Sequence, residues 1–363
     1  MTAVELTGKI RAFNRRFGWP LRIALLVALV ALVLVKIDRQ AFIDAMHPAS
    51  WGFVLAAVVA NALSVVFKGL AWKGVVDGLP GMRRKAPIRH LVSPLFVGFL
   101  FNTLLAARVG EFVKVVLARR HLKENGEDIR TTTLLGTVVV ENLVSTLALV
   151  AVVIVVGLFL PLSRAIWISS ATLGITCLTI VLVALLRSPS RRRPAWMSTS
   201  RMWARASRGV HHFWSAVRDS HVGLRDPLQM TKIMLSSIGA WLWQMAGIFF
   251  ALRAFGLDNV GWAGAGLLLV SVTVAQIFPL LPGNLGVFQA AVVVPLTHTF
   301  AVSSAGALAF SVGLQATEVA VGVALGFVFL MVEGTTFREL RAVAEEEDGD
   351  PYTENFADPL GGP

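Results

Sequence analysis

Apolar residues in this chain gather into several uninterrupted runs of about twenty, each long enough as a helix to cross a hydrocarbon core roughly 30 Å thick. The longest cover residues 21–35, 51–79, 132–160, 164–186, 233–255 and 303–332, which predicts six full transmembrane helices. Two further apolar segments are interrupted. Residues 91–105 give way to the polar string Arg108-Val109-Gly110-Glu111 and Lys114 before apolarity resumes over 115–118. Residues 262–281 run into Pro282-Gly283-Asn284-Leu285-Gly286 and resume over 287–296. Non-helical backbone at membrane depth is tolerated only inside protein or along a water-filled cavity, so both segments predict re-entrant helical hairpins.

The basic residues orient these elements, because loops on the cytoplasmic side carry an excess of Lys and Arg. Lys9, Arg11, Arg15, Arg16 and Arg22 precede the first run, and no small-residue cleavage pattern follows it, so it reads as a retained helix. Lys68 and Lys73 fall near the inner end of the second helix and are expected to snorkel to headgroups. Arg83-Arg84-Lys85 with Arg89 lies before the first broken segment and a second basic stretch over 119–130 lies after it. Both mouths of that hairpin, about 90–120, are therefore expected to face the cytoplasm. The loop 187–232 holds ten Lys or Arg and contains an amphipathic stretch with Trp203, Phe213 and Trp214 on one face, expected to lie on the inner leaflet. The flanks of the second hairpin, about 262–297, carry no basic residue and are expected outside. This divides the chain into a basic cytoplasmic N-terminus (1–19), a membrane domain (20–335) and an acidic, disordered cytoplasmic tail (336–363) holding Glu345-Glu346-Glu347-Asp348.

Composition narrows the classes further. Hydrophobic residues make up 55% of the 363 and charged ones 15%, against roughly 25% charged in soluble domains, which excludes a soluble enzyme or a disordered chain. One cysteine, Cys177, removes any disulfide framework or C-x-x-C metal site. The formal charge of +11 sits between apolar runs, where topology and anionic lipid account for it, so no nucleic-acid partner is expected. No phosphate-binding G-x-x-x-x-G-K-[ST] loop, G-x-S-x-G elbow or metal-ligand cluster occurs, so no enzyme activity and no cofactor are expected. The histidines, His90 and His121 among them, read as isolated residues of basic loops.

The two broken segments resemble one another: Leu104-Leu105-Ala106-Ala107-Arg108-Val109-Gly110-Glu111-Phe112 aligns without gaps to Leu280-Leu281-Pro282-Gly283-Asn284-Leu285-Gly286-Val287-Phe288. Each is followed about thirty residues later by an intramembrane acid, Glu141 or Glu318. Similar units of opposite orientation make an inverted repeat, as in secondary transporters whose sites form at interrupted helices near the midplane.

A charge in the hydrocarbon centre costs about 2.5–3.5 kcal/mol on insertion scales, so each needs a partner or a purpose. Arg108, Glu111 and Lys114 are spaced i, i+3, i+6; on a half-helix starting near Arg108 they share a face and carry net +1 beside the positive end of the helix dipole. Together these favour an anion such as a lipid phosphate, clamped by Arg and held by the point charge of Lys. The alternative is an internal Arg108–Glu111 bridge that locks the hairpin. Glu141, roughly 14 Å into its helix at 1.5 Å per residue, is placed to bond Arg108 or Lys114 or to take a proton. Asn102 and Asn142 complete the expected substrate-binding set. Gly110, Pro282, Gly283, Asn284, Gly286, Gln289 and Glu318 form the expected gate. Gln289, Gln276 and Gln244 either line a polar path or pair between helices.

Arg108-Val109-Gly110-Glu111 with Lys114, then Glu141, then Leu281 to Phe288 resembles the lysylphosphatidylglycerol synthase transmembrane region, a flippase-like membrane domain, over roughly 20–335. The resemblance implies movement of a lipid between leaflets, such as aminoacylated phosphatidylglycerol or polyprenyl-linked cargo. It departs from that pattern at Asn284, where Gly is common, and at Gln289, where an acid is common. No aminoacyl-transferase domain follows the last helix, so synthesis of such a lipid is not expected of this chain. The expectation is therefore an all-α membrane lipid translocase in the cell membrane with both termini cytoplasmic. Membrane lipids are the expected partners, with a homo-oligomer or a lipid-synthesising enzyme beside them. Two other readings stand: a non-transporting partner or regulator of a lipid-modifying enzyme, and a small-solute transporter.

Overall fold

The computed structural model describes residues 50–80, 82–104, 109–159, 226–276 and 286–333, with isolated positions within 40–44 and 171–179. The expected helix over 21–35, most of that over 164–186, Cys177, most of the basic loop 187–232 and the acidic tail lie outside the described residues, as do Arg108, Pro282, Gly283 and Asn284. Among the described residues the regular elements are all helical: α1 (Trp51–Asp77), α2 (Arg89–Leu104), α3 (Val109–Glu124), α4 (Thr131–Phe159), α5 (Pro227–Ala254), α6 (Gly261–Gln276), α7 (Val287–Phe300), α8 (Ser304–Ala320) and α9 (Gly326–Glu333). A 3₁₀ turn, Asp258–Val260, leads into α6, and a π turn, Val321–Leu325, joins α8 to α9.

Five stretches are long and apolar enough to cross a membrane: Trp51–Asp77, Thr131–Leu158, Pro227–Ala254, Asp258–Ala275 and Ser304–Glu333. Four coincide with expected spanning helices. The fifth is the first arm of the second hairpin, which reaches 18 residues once its 3₁₀ turn is counted. The second arm, α7, also runs past its expected end at 296 to Phe300, through Pro295. Trp51, Leu158 and Val332 are 74–76% exposed on these stretches, as lipid-facing side chains must be.

The chain divides into two compact units, Met1–Ala57 with Ile248–Glu318 and Val58–Gly247 with Val319–Pro363. In the second, α2 and α3 form an antiparallel hairpin, its arms in contact where an added Cβ on Gly98 would lie 2.8 Å from the Gly110 carbonyl oxygen. Small residues at such a crossing allow the backbone approach from which lipid-embedded helices draw their packing energy. Trp72, Leu91, Phe96, Leu122 and Leu134 fill the core beside them, and Val321 joins it from the π turn. Phe329 of α9 stacks on Phe96 at 5.2 Å. A Cβ on Gly326 would meet the Phe96 carbonyl oxygen at 2.6 Å, so α9 also lies against α2 backbone to backbone.

The first unit is built likewise around the second hairpin. Leu268, Leu269, Phe288, Val292 and Phe310 are at most 2% exposed. The rings of Phe255 and Phe310 meet edge to face at 5.8 Å, with Gly313 making room for the former.

Candidate functional site

The first hairpin sets the site. Its second arm begins at Val109, close to the expected start, so Glu111 stands in the first turn and Lys114 in the second. Gly110 donates its backbone N–H to Asn102 Oδ1 at 2.8 Å, which supplies an acceptor for one of the four N–H groups that a helix start leaves unpaired. The amide of the same Asn102 turns to Glu111, Nδ2 to Oε1 at 3.5 Å. Asn102 thus ties the last turn of α2 to the first turn of α3.

Lys114 is 3% exposed. Its ammonium pairs with Glu111 Oε2 at 2.5 Å and lies 5.6 Å from the centre of the Trp72 ring. A desolvated ammonium over an indole face gains about 2 kcal/mol. The pair is lopsided, since the lysine side chain is 4% exposed and the glutamate 38%. Trp72 in turn donates its indole N–H to Thr137 Oγ1 at 2.9 Å, and Thr137 passes its own proton to the Leu134 carbonyl at 2.6 Å.

Thr137 and Glu141 are four apart on α4 and so share a face. Glu141 is 2% exposed, and its Oε1 has no hydrogen-bond partner among the described residues. An unsatisfied buried oxygen costs about 1–3 kcal/mol. The contact runs from Lys114 through Trp72 to Thr137, one turn from Glu141. Of the expected binding residues, Asn102, Glu111 and Lys114 are joined directly, and Glu141 stands at the end of that chain. Asn142 is exposed instead, because adjacent helical positions differ by about 100°.

The second hairpin supplies an uncharged counterpart within its own unit. Gly286 opens α7 at φ 84°, a left-handed conformation that only glycine adopts freely. Its N–H goes to Gln289 Oε1 at 2.6 Å, while Gln289 Nε2 donates to Gln315 Oε1 on α8. Gln289 therefore pairs between helices, the second of the two readings of its amide. Glu318 lies three residues beyond Gln315, half-buried on the same helix.

One expectation needs correction. His90 and His121 are not isolated: the antiparallel arms bring their rings to 4.9 Å at the base of the first hairpin. His121 Nε2 lies 2.6 Å from Glu333 Oε2 at the end of α9, and Ser93 donates to the other oxygen of that carboxylate. Pro94 has no N–H, so the His90 carbonyl four residues back lacks its helical donor; His121 Nδ1 approaches it at 3.4 Å. Burial lowers the His121 pKa, but the hydrogen bond and charge of Glu333 outweigh it and hold the pKa above its ordinary value. Burial and the neighbouring His121 hold the His90 pKa below its ordinary value. Sequence reasoning also missed Trp72 and Thr137, whose signal is a polar-capable side chain on the inner stretch of an apolar helix. Among the described residues no group of three or more His, Cys, Asp or Glu could hold a metal ion.

Comparison with known proteins agrees with this architecture. A family profile described as the lysylphosphatidylglycerol synthase TM region matches residues 19–326. A UPF0104 membrane protein of Methanothermobacter thermautotrophicus is 24% identical over 288 residues, covering 74% of this chain and 81% of that protein. The glycosyltransferase AglD of Haloferax volcanii is 25% identical over 350 residues, 89% of this chain but 55% of the relative, so the chain spans about half of that protein's length. With its spanning-length helices and a match over most of its length, this multi-pass membrane protein belongs to the lysylphosphatidylglycerol synthase TM region family.

Proposed function

We propose that the protein moves a lipid with a phosphate-bearing headgroup between the leaflets of the cell membrane: an anionic or modified phospholipid, or a polyprenyl-linked lipid. It does so without covalent chemistry and with both termini in the cytoplasm. The observation that carries this reading is Lys114, a buried cation on a broken hairpin whose ion-pair partner, Glu111, reaches solvent. A phosphate oxygen entering beside Glu111 exchanges one anionic partner of the ammonium for another, so the buried charge is never bare. Arg108, two residues before Gly110, adds a bidentate donor at the break. Glu141 sets the charge opposite: with all groups ionised, Lys114 against Glu111 and Glu141 sums to −1, and Arg108 restores neutrality.

Arm lengths support a re-entrant first hairpin. α2 and α3 have 16 residues each, about 24 Å at 1.5 Å per residue and short of a core roughly 30 Å thick. The second hairpin has arms of 16 and 14 residues, the first reaching spanning length with its 3₁₀ turn, so the inverted repeat is supported by the aligned broken segments and not by arm length. The family match adds to the reading.

Reconstituted protein should speed dithionite bleaching of fluorescent phosphatidylglycerol in liposomes, and Lys114→Met should remove that gain. If protein-containing and protein-free liposomes bleach alike for phosphatidylglycerol, aminoacyl-phosphatidylglycerol and a polyprenyl phosphate, the reading is wrong.

A further inference from the structure

The loop between α1 and α2 puts four cations, Arg83, Arg84, Lys85 and Arg89, on one exposed stretch. Topology alone does not require such a loop to be ordered, since positive charge orients a membrane protein from any short loop. This one is held from beneath by two buried carboxylates. Glu127, 6% exposed, accepts the backbone N–H of Arg83 at 3.0 Å and of Arg84 at 2.8 Å. Asp77 accepts the N–H of Ala86 at 2.9 Å and also pairs with Lys73. Ala86 is 3% exposed and pins the loop to the core.

The choice of partners is informative. Two acids stand beside four cations, yet their oxygens go to the loop backbone and to Lys73. The side chains of Arg83, Arg84 and Lys85 have no partner among the described residues, and Arg89 touches only His90, Nε to Nε2 at 3.2 Å. Carboxylates that could neutralise the arginines instead fix the backbone from which these cations project. Beside them Ile88 is 37% exposed, an apolar edge within the charged stretch. The loop lies between the end of a spanning-length helix and the start of a hairpin arm, which places it at headgroup depth.

We infer that the clamped loop 82–89 is a preorganised docking surface for anionic phospholipid headgroups of the adjacent leaflet, distinct from the Lys114 site. Guanidiniums take phosphate oxygens as bidentate donors, and a fixed backbone removes part of the ordering cost of collecting them. Juxtamembrane cations attract anionic lipid by about 1 kcal/mol each, so four reach a useful affinity only if they act together. The inference does not rest on lipid translocation, because binding is read without it.

The full chain in mild detergent would be titrated with phosphatidylglycerol and with chain-matched phosphatidylcholine, and bound lipid counted by native mass spectrometry. Wild type should prefer phosphatidylglycerol, and Arg83→Gln/Arg84→Gln/Lys85→Gln should weaken that binding at least about tenfold while leaving phosphatidylcholine unchanged. Glu127→Ala separates preorganisation from charge. By charge alone it removes a negative group and tightens phosphatidylglycerol; by loosening the clamp it weakens it, about threefold. Should that variant fail to fold, two glycines inserted after Lys85 loosen the loop with every charge kept. Undiminished phosphatidylglycerol binding in the triple variant overturns the proposal, as does tighter or equal binding in the loosened ones. Wild-type protein that shows no preference for phosphatidylglycerol yet forms carbodiimide cross-links from Lys85 to an acidic polypeptide would make the occupant protein, and the proposal would fall.

Discussion

Replacing Gly110 with alanine tests whether the closeness of the hairpin arms holds the site together. An added Cβ at position 110 would lie 1.9 Å from the Gly98 carbonyl oxygen and 2.7 Å from Asn102 Oδ1, where ordinary contact begins near 3.4 Å. The arms must then part by about 1.5 Å, the difference of 3.4 and 1.9. That carries the 2.8 Å bond from Gly110 N–H to Asn102 beyond hydrogen-bond reach and frees the amide that orients Glu111. Overpacking costs about 1–3 kcal/mol and a lost hydrogen bond about 0.5–1.5, so Gly110→Ala should cost about 2–4 kcal/mol. Gly98→Ala meets the Gly110 oxygen at 2.8 Å and needs only about 0.6 Å, hence a smaller loss. Gly322→Ala meets nothing closer than 3.6 Å and serves as the neutral control. Thermal midpoints of the purified variants should fall in the order Gly110, Gly98, Gly322, with lipid transfer lost in the first. Equal midpoints for Gly110→Ala and Gly322→Ala would refute the argument.

Glu141→Gln replaces a buried carboxyl that has an unpartnered oxygen, so the thermal midpoint should hold or rise while dithionite-detected transfer falls at least about tenfold, the usual exchange of stability for function. Lys114→Met strands the buried Oε2 of Glu111 and removes the ammonium from the Trp72 ring, so the midpoint should fall by the equivalent of about 2 kcal/mol or more while transfer is lost. Gln289→Ala removes the acceptor of the Gly286 N–H and one donor to Gln315 Oε1 and should lower the midpoint by the equivalent of about 1–3 kcal/mol. The raised His121 pKa gives the Glu333 contact a definite pH signature: its stabilisation is full below the unfolded value near 6.5 and is lost as pH rises through the folded value. His90, lowered, acts in the opposite sense, so the informative quantity is the midpoint of wild type minus that of Glu333→Gln. That difference should shrink from pH 6 to pH 9, and a constant difference would show that no proton is linked.

The six expected spans rested on uninterrupted apolarity, a signal that survives any packing, and every one that falls on described residues is helical. The break before Val109 was equally visible, because polar residues interrupt a run that lipid would otherwise forbid. What the sequence could not show was pairing. Glu111 is three residues from both Arg108 and Lys114, and spacing alone does not choose between them; the structure shows the pair with Lys114, buried beside Trp72, while Arg108 lies outside the described residues. Trp72 was silent because a tryptophan in an apolar helix looks the same whether it faces lipid or a lysine. The contact of Ser93 and His121 with Glu333 spans more than two hundred residues and depends on helix phase, which a linear pattern leaves open.

That phase has a source in the π turn Val321–Leu325. An ordinary helix advances about 100° per residue, and each i→i+5 turn inserts one residue without lengthening the hydrogen-bonded ladder in step. Each residue after Leu325 is therefore turned about 100° from where an unbroken helix of the same sequence would put it, and in that phase Phe329 stacks on Phe96 and Glu333 meets His121. Excising a single residue there, Ala324 for example, would let the segment relax to an unbroken α-helix. Because the excised residue is the one the π turn accommodates, the shortened polypeptide would carry its final carboxylate to nearly the same azimuth, and the bond to His121 would outlive the deletion.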